Sequence, residues 1–177
     1  MAGVWTNNWN NMRRSMAAGI ASTDLGVVYN TSGNAISSAN VFYSQYPVAG
    51  PMSPLHGGRG SGGQGVVGVP FGTSDTTPAV TNNYLGEAFT SGLSYVDAVN
   101  GTETYNASTG VATRTDYVTV MNTAGEDKIV REWGIVGRLN GADVLLYRAV
   151  LDVPITLPQY YSLKLTITRT MQLEVLE

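Results

Sequence analysis

The sequence predicts an all-β protein, an antiparallel β-sandwich of jelly-roll-like form. Three observations predict it. Strand-length runs recur about every ten residues through the C-terminal half. Turn chemistry separates them: Asn100–Gly101, Ser108–Gly110, Asn122–Asp127 and Asn140–Gly141. Past the first two dozen residues no run repeats with helical spacing. The 177 residues divide into an N-terminal arm at 1–24 and a β-sandwich body at 25–177, which carries a Gly/Pro-rich loop at about 49–65.

In the arm, Trp5, Trp9, Met12 and Met16 stand at i, i+4, i+7 and i+11, one face of an α-helix. Thr6 suits its cap, Arg13 and Arg14 its last turns, and Gly19 its end. The asparagines at 7, 8, 10 and 11 oppose a helix. The segment is therefore predicted to be helical only where its Trp/Met stripe packs, on its own domain or on a neighbouring subunit. Residues 25–48 read as a short strand, a turn at Thr31–Asn34 and a second strand. The loop that follows holds His56 and Arg59, and its length suits a functional element or one held by a partner.

The remaining elements read as strands. A hairpin is predicted at Asn100–Gly101, further turns at 108–110 and 122–127, and another hairpin at Asn140–Gly141. Pro154 and Pro158 are expected to break the strand that starts at Asp143. In the last strand, Leu163, Leu165, Ile167 and Met171 alternate with Lys164, Thr166, Thr168 and Thr170, which predicts one buried and one wet face. Strict alternation at 144–151 places Val144, Leu146 and Val150 on one face and Leu145, Tyr147, Ala149 and Leu151 on the other. At 129–136 it places Ile129, Arg131, Trp133 and Ile135 opposite Val130 and Val136. Both strands thus carry apolar groups on both faces. Either a second layer of the same chain covers the outer face, or another subunit does. Trp5, Trp9, Met12, Met16, Arg59 and Tyr147 are the candidate partner-contact residues.

Composition narrows the function. Net charge is −3, so no general attraction to nucleic acid is expected. Charged residues make up 13%, low beside the usual ~25%, as suits a surface partly covered by partners. With no cysteine, disulfides and thiolate chemistry are excluded. No apolar run is long enough for a membrane span, and the N-terminus is read as the genetic one. His56 is the single histidine; it reads as a solvated loop residue, and no catalytic triad follows from it. Gly58, Gly60 and Gly63 match a dinucleotide-binding spacing but lack the strand before and the helix after that the motif needs. Glu126 and Asp127 read as solvated turn charges. Neither cofactor nor metal is expected.

The stretch "GTSDTTPAVTNNYLGEAF" (72–89) and residues 115–171 resemble segments of small tail- or capsid-associated proteins of double-stranded DNA bacteriophages. The matching residues are Arg131, Glu132, Gly134, Leu145, Leu146, Arg148, Val150, Leu151, Pro154, Thr156 and Pro158. The resemblance covers roughly 66–171. It implies a non-enzymatic virion structural protein assembled in the host cytoplasm, in many symmetric copies, as a capsid accessory (cement) or a neck or tail component. Its implied partners are other copies of itself and the major capsid protein or neck and tail proteins, with no membrane and no direct nucleic-acid contact. Arg148 is expected to pair with Arg131–Glu132 across adjacent strands as a structural ion pair. The alternative function is a receptor- or glycan-binding module presenting Tyr43, Tyr46, Tyr160 or Tyr161.

Overall fold

A computed structural model describes residues 2–11, 27–36, 68–99, 103–139 and 142–172. Its strands are β1 (Ala2–Trp5), β2 (Phe71–Gly72), β3 (Leu93–Val99), β4 (Glu103–Asn106), β5 (Val111–Asn122), β6 (Lys128–Leu139), β7 (Ala142–Leu157) and β8 (Ser162–Gln172). All pairings are antiparallel. One sheet runs β1-β7-β6-β2. In the other, β5 is central, with β8 along one edge and β3 followed by β4 along the opposite edge. The two sheets pack face to face, as predicted. Their shared core joins Val118, Val120 and Ile167 of the second sheet to Phe71, Val130, Trp133, Ile135, Val144 and Leu146 of the first. Burying each such side chain contributes roughly 1.5–3 kcal/mol.

Several sequence-level expectations need correction. The chain does not reverse at Asn100–Gly101. Both β3 and β4 are antiparallel to β5, so they run in one direction as a single interrupted strand. The reversal comes at 107–110, where the Asn106 carboxamide accepts from Ser108 N at 2.9 Å and Gly110 takes φ +67°. The twelve residues of β5 are too long for β4 alone to pair, and β3 supplies the rest of the ladder. The β6–β7 hairpin is as predicted, since Leu139 faces Ala142 across it. Nor does Pro154 end β7. It sits where four residues of β7 (151–154) lie opposite Arg131 alone, a break in the ladder that asks for no proline N–H.

That break and a second one redraw the faces of both strands. Leu146 is an extra residue of β7 between the pairs Ile135↔Tyr147 and Val136↔Leu145. Such a bulge flips the alternation. Val144, Leu146 and Ala149 all join the inter-sheet core with Tyr147 packed against it, while Leu145 turns outward beside Val136 and Leu85. The irregularity at Arg131 does the same on β6: Val130 joins Trp133 and Ile135 inside, and Ile129 is left exposed.

The arm is also not a continuous helix. Trp5 ends a strand, β1, paired with β7 from Ala2↔Val150 to Trp5↔Tyr147. The segment 7–11, the last described in the arm, is helical. Thr6 caps it as predicted: its backbone oxygen accepts from Asn10 N at 3.1 Å, and its hydroxyl donates to Leu145 O at 2.8 Å. Gly3 lies against the Tyr147 ring so closely that a Cβ there would meet its hydroxyl. The turn expected at Thr31–Asn34 is present, with the Asn30 carboxamide accepting from Ser32 N and Asn34 N. The second strand expected after it, and the loop at 49–65, lie outside the described residues.

Tyr95 of β3 ties the sheets together. Its hydroxyl donates to Val69 O at 2.7 Å, and burial holds it well above the ordinary tyrosine value of 10.0. The unfolded chain therefore releases this proton first, so stability is full below about pH 10 and falls above it. Burial raises Tyr147 in the same direction. Tyr95→Phe is expected to cost about 1 kcal/mol at neutral pH through the lost hydrogen bond. It should also flatten the decline in urea-unfolding free energy above about pH 10; a decline as steep as the wild type's would refute this role for Tyr95.

Candidate functional site

What covers the outer face of β6 and β7 is the chain's own segment 73–89. Two charged residues hold it there. Glu132 and Arg148 are among the largest fully buried side chains, diagonally opposed on neighbouring strands two register positions apart. Arg148 Nε donates to Glu132 Oε2 at 2.8 Å. Glu132 also accepts from Gly86 N at 3.0 Å and Glu87 N at 2.7 Å. Arg148 spends its remaining donors on Asn82 Oδ1 (3.1 Å) and Ser74 Oγ (3.4 Å). One ion pair therefore grips the strap at four residues, and Leu85 closes over Leu145 and Val136 beside it. The ion pair expected between Glu132 and Arg148 is present, and it is buried. Arg131 approaches Asp75 at 4.0 Å instead, an exposed contact of little energetic weight.

The strap explains two glycines. A Cβ at Gly86 would strike Ser74 and come within 2.9 Å of Arg148 Nη2; one at Gly72 would meet the Glu87 carbonyl and sit 2.6 Å from Glu132 Oε1. Backbone must approach the buried charges this closely to satisfy them. The two stretches that carry the phage resemblance, 72–89 and the β6–β7 hairpin, are thus one physical unit.

Trp5, Trp9 and Tyr147 come together. The Trp5 ring centroid lies 5.0 Å from both Trp9 and Tyr147, and Tyr147 lies 5.1 Å from Trp133. The three nominated rings are half-buried, so each keeps some surface outside while packing on its own sheet. Met12, Met16 and Arg59 lie outside the described residues, as do Tyr43, Tyr46 and His56.

Apolar surface is exposed elsewhere, at the end where the chain crosses between sheets. Tyr160 and Tyr161 in the β7–β8 turn are 70% and 66% exposed and Val153 is 75% exposed; Ile129 and Ile155, on opposite faces of the paired ends of β6 and β7, are exposed too. Tyr160 holds φ +65°, a left-handed backbone that glycine adopts at lower cost. It is fixed there because its N–H donates to Asn122 O at 2.8 Å and Asn122 N–H donates to Tyr161 O at 2.9 Å. Sequence reading named these tyrosines, but not the strained backbone that presents one of them. A cleft of about 130 Å³, of mixed polar and apolar lining, lies between Pro70, Phe71, Phe89, Thr90, Ser91, Leu93 and Tyr95. Among the described residues no three His, Asp or Glu side chains gather in a metal-binding group.

No family model, no curated protein and no solved structure matches this chain.

Proposed function

We propose that the protein is a non-enzymatic structural component of a bacteriophage particle, a capsid accessory or a neck or tail subunit present in many copies. The observation that carries this reading is the set of exposed apolar side chains along one short stretch of chain, Val153, Ile155, Tyr160 and Tyr161. Among the described residues the strap and β1 cover the first sheet, and these side chains take no part in the core. Large apolar side chains left outside the core are what an assembly contact uses. The resemblance supplies the setting, and the strap residues that carry it serve the fold.

The test is light scattering on the full chain, alone and mixed with purified particles lacking it. Self-association or particle binding is expected. Val153→Asp combined with Tyr161→Ser should reduce it at least tenfold, an order of magnitude set by losing two central contacts, with the melting temperature little changed. Removing residues 1–20 is a poor variant, because it deletes β1 and the Thr6 cap. A second reading, a glycan-binding module, is favoured by the adjacent exposed rings of Tyr160 and Tyr161. A chain that remains monomeric, ignores particles and binds an immobilised glycan through those rings would replace the first reading.

A further inference from the structure

Among the described residues the second sheet ends in a long open edge. All of β8 from Ser162 to Gln172 pairs with β5 on one side, and no described strand pairs with its other side. Eleven residues is long for an unprotected edge, which leaves alternate N–H and C=O groups without ladder partners and invites another strand. Edges are commonly guarded by lysine. Here Lys164 is drawn the other way: its Nζ lies 4.0 Å from the Tyr117 ring centroid, back over β5. Nothing charged on the described outer face then stands over the edge, which presents Thr166, Thr168 and Thr170, all exposed.

We propose that this edge pairs with the β8 of a second copy, antiparallel about a two-fold axis at Thr166. The sequence of β8 is complementary to itself in that register. Opposed residues must point to the same face, so only pairs of equal parity can meet. Centred on Thr166, the wet face opposes Thr166 to Thr166 and Lys164 to Thr168, and the inner face opposes Leu165 to Ile167. No two like charges meet. Leu163 meets Arg169 towards the strand's ends in this register; centred one residue further on, Leu165 would oppose Arg169 closer to the axis. The β5–β8 ladder already shows the chemistry: Thr115 faces Thr168 with their hydroxyl oxygens 3.1 Å apart. The proposed pairing continues that threonine ladder across the axis and joins two sandwiches through one continuous sheet, an isologous contact of the kind that closes dimers.

This inference deepens the assembly reading and rests on it only in that copies of the chain must meet. Because the protein has no cysteine, single cysteines along β8 report the register cleanly. Directly opposed residues have Cβ atoms about 4.5–5.5 Å apart, within reach of disulfide formation after slight adjustment. Under mild oxidation, T166C is expected to give a covalent dimer, and K164C and T170C little or none. T166E sets two carboxylates face to face and should weaken dimerisation roughly tenfold or more, measured by sedimentation. Its exposed position leaves the monomer's fold intact, read as an unchanged circular dichroism spectrum. Oligomers that persist with no T166C cross-link and no response to T166E would overturn the edge pairing while leaving the assembly reading intact. So would a cross-linking maximum elsewhere on the strand. A chain that is monomeric at its highest soluble concentration overturns the pairing. If T166C in that chain cross-links only to a different particle protein, the edge belongs to that protein.

Discussion

Arg148→Met is expected to destabilise the protein by about 3–5 kcal/mol, the usual consequence of leaving one buried charge without its partner. The Glu132 carboxylate is fully buried, and the two backbone N–H groups of Gly86 and Glu87 are not enough to replace the guanidinium. Asn82 and Ser74 lose a donor at the same time. The loss therefore falls on the strap, which should open before the sandwich does and become the first site of proteolysis. Adding Glu132→Gln removes the stranded charge and keeps an acceptor for the strap. The double variant is expected to recover about 1–3 kcal/mol relative to the sum of the singles, a coupling of the size found for residues in one network. Urea unfolding of the four proteins in this cycle is the measurement. Additive losses would mean that the pair is not coupled and that the strap is held by Leu85 packing alone.

The same residues mark the limit of what the sequence revealed. Alternation read the last strand correctly because β8 pairs with β5 without a bulge, so parity alone decides which side chain goes inside. It failed on β6 and β7, where one extra residue at Leu146 and a longer break opposite Arg131 invert the faces part-way along. Nothing in the local composition announces either. Read without them, the strands seemed greasy on both sides and in need of a neighbour. Turn chemistry located the reversals at 107–110, 122–127 and 140–141, but it also nominated Asn100–Gly101. There the decision is made by β5, whose length recruits both β3 and β4. The arm was read in part: the Asn-rich residues 7–11 are helical behind Thr6, as the spacing predicted, but Ala2–Trp5 had an edge of β7 to pair with, so Trp5 lies in a strand and not on the helix. The Glu132–Arg148 pair was legible as neighbours on adjacent strands. Its burial was not, because it depends on a strap more than forty positions away in sequence.

Asn122 should prove the second most sensitive position, and Asn122→Asp worse than Asn122→Ala. The side chain is fully buried at the end of β5. Its amide nitrogen donates to Glu126 O at 2.9 Å and Leu157 O at 2.8 Å, and its oxygen accepts from Ala124 N at 2.9 Å. Its backbone holds both ends of the Tyr160–Tyr161 pair. Both C-terminal crossings between the sheets, β5 to β6 and β7 to β8, are therefore fastened at this one residue. Alanine leaves two carbonyls and one N–H without partners, a cost of about 2–3 kcal/mol. Aspartate keeps the acceptor but turns a negative charge on two carbonyl oxygens where no water reaches, which should cost more than about 3 kcal/mol. A protonated aspartate donates to one of those carbonyls again. The folded variant thus binds its proton more tightly than the unfolded chain, so its deficit should shrink as pH falls and grow as pH rises. Unfolding free energies at about pH 4 and about pH 7 test this directly. A deficit independent of pH, or an alanine variant less stable than the aspartate one at neutral pH, would show that the amide's two donated bonds do not hold the crossings together.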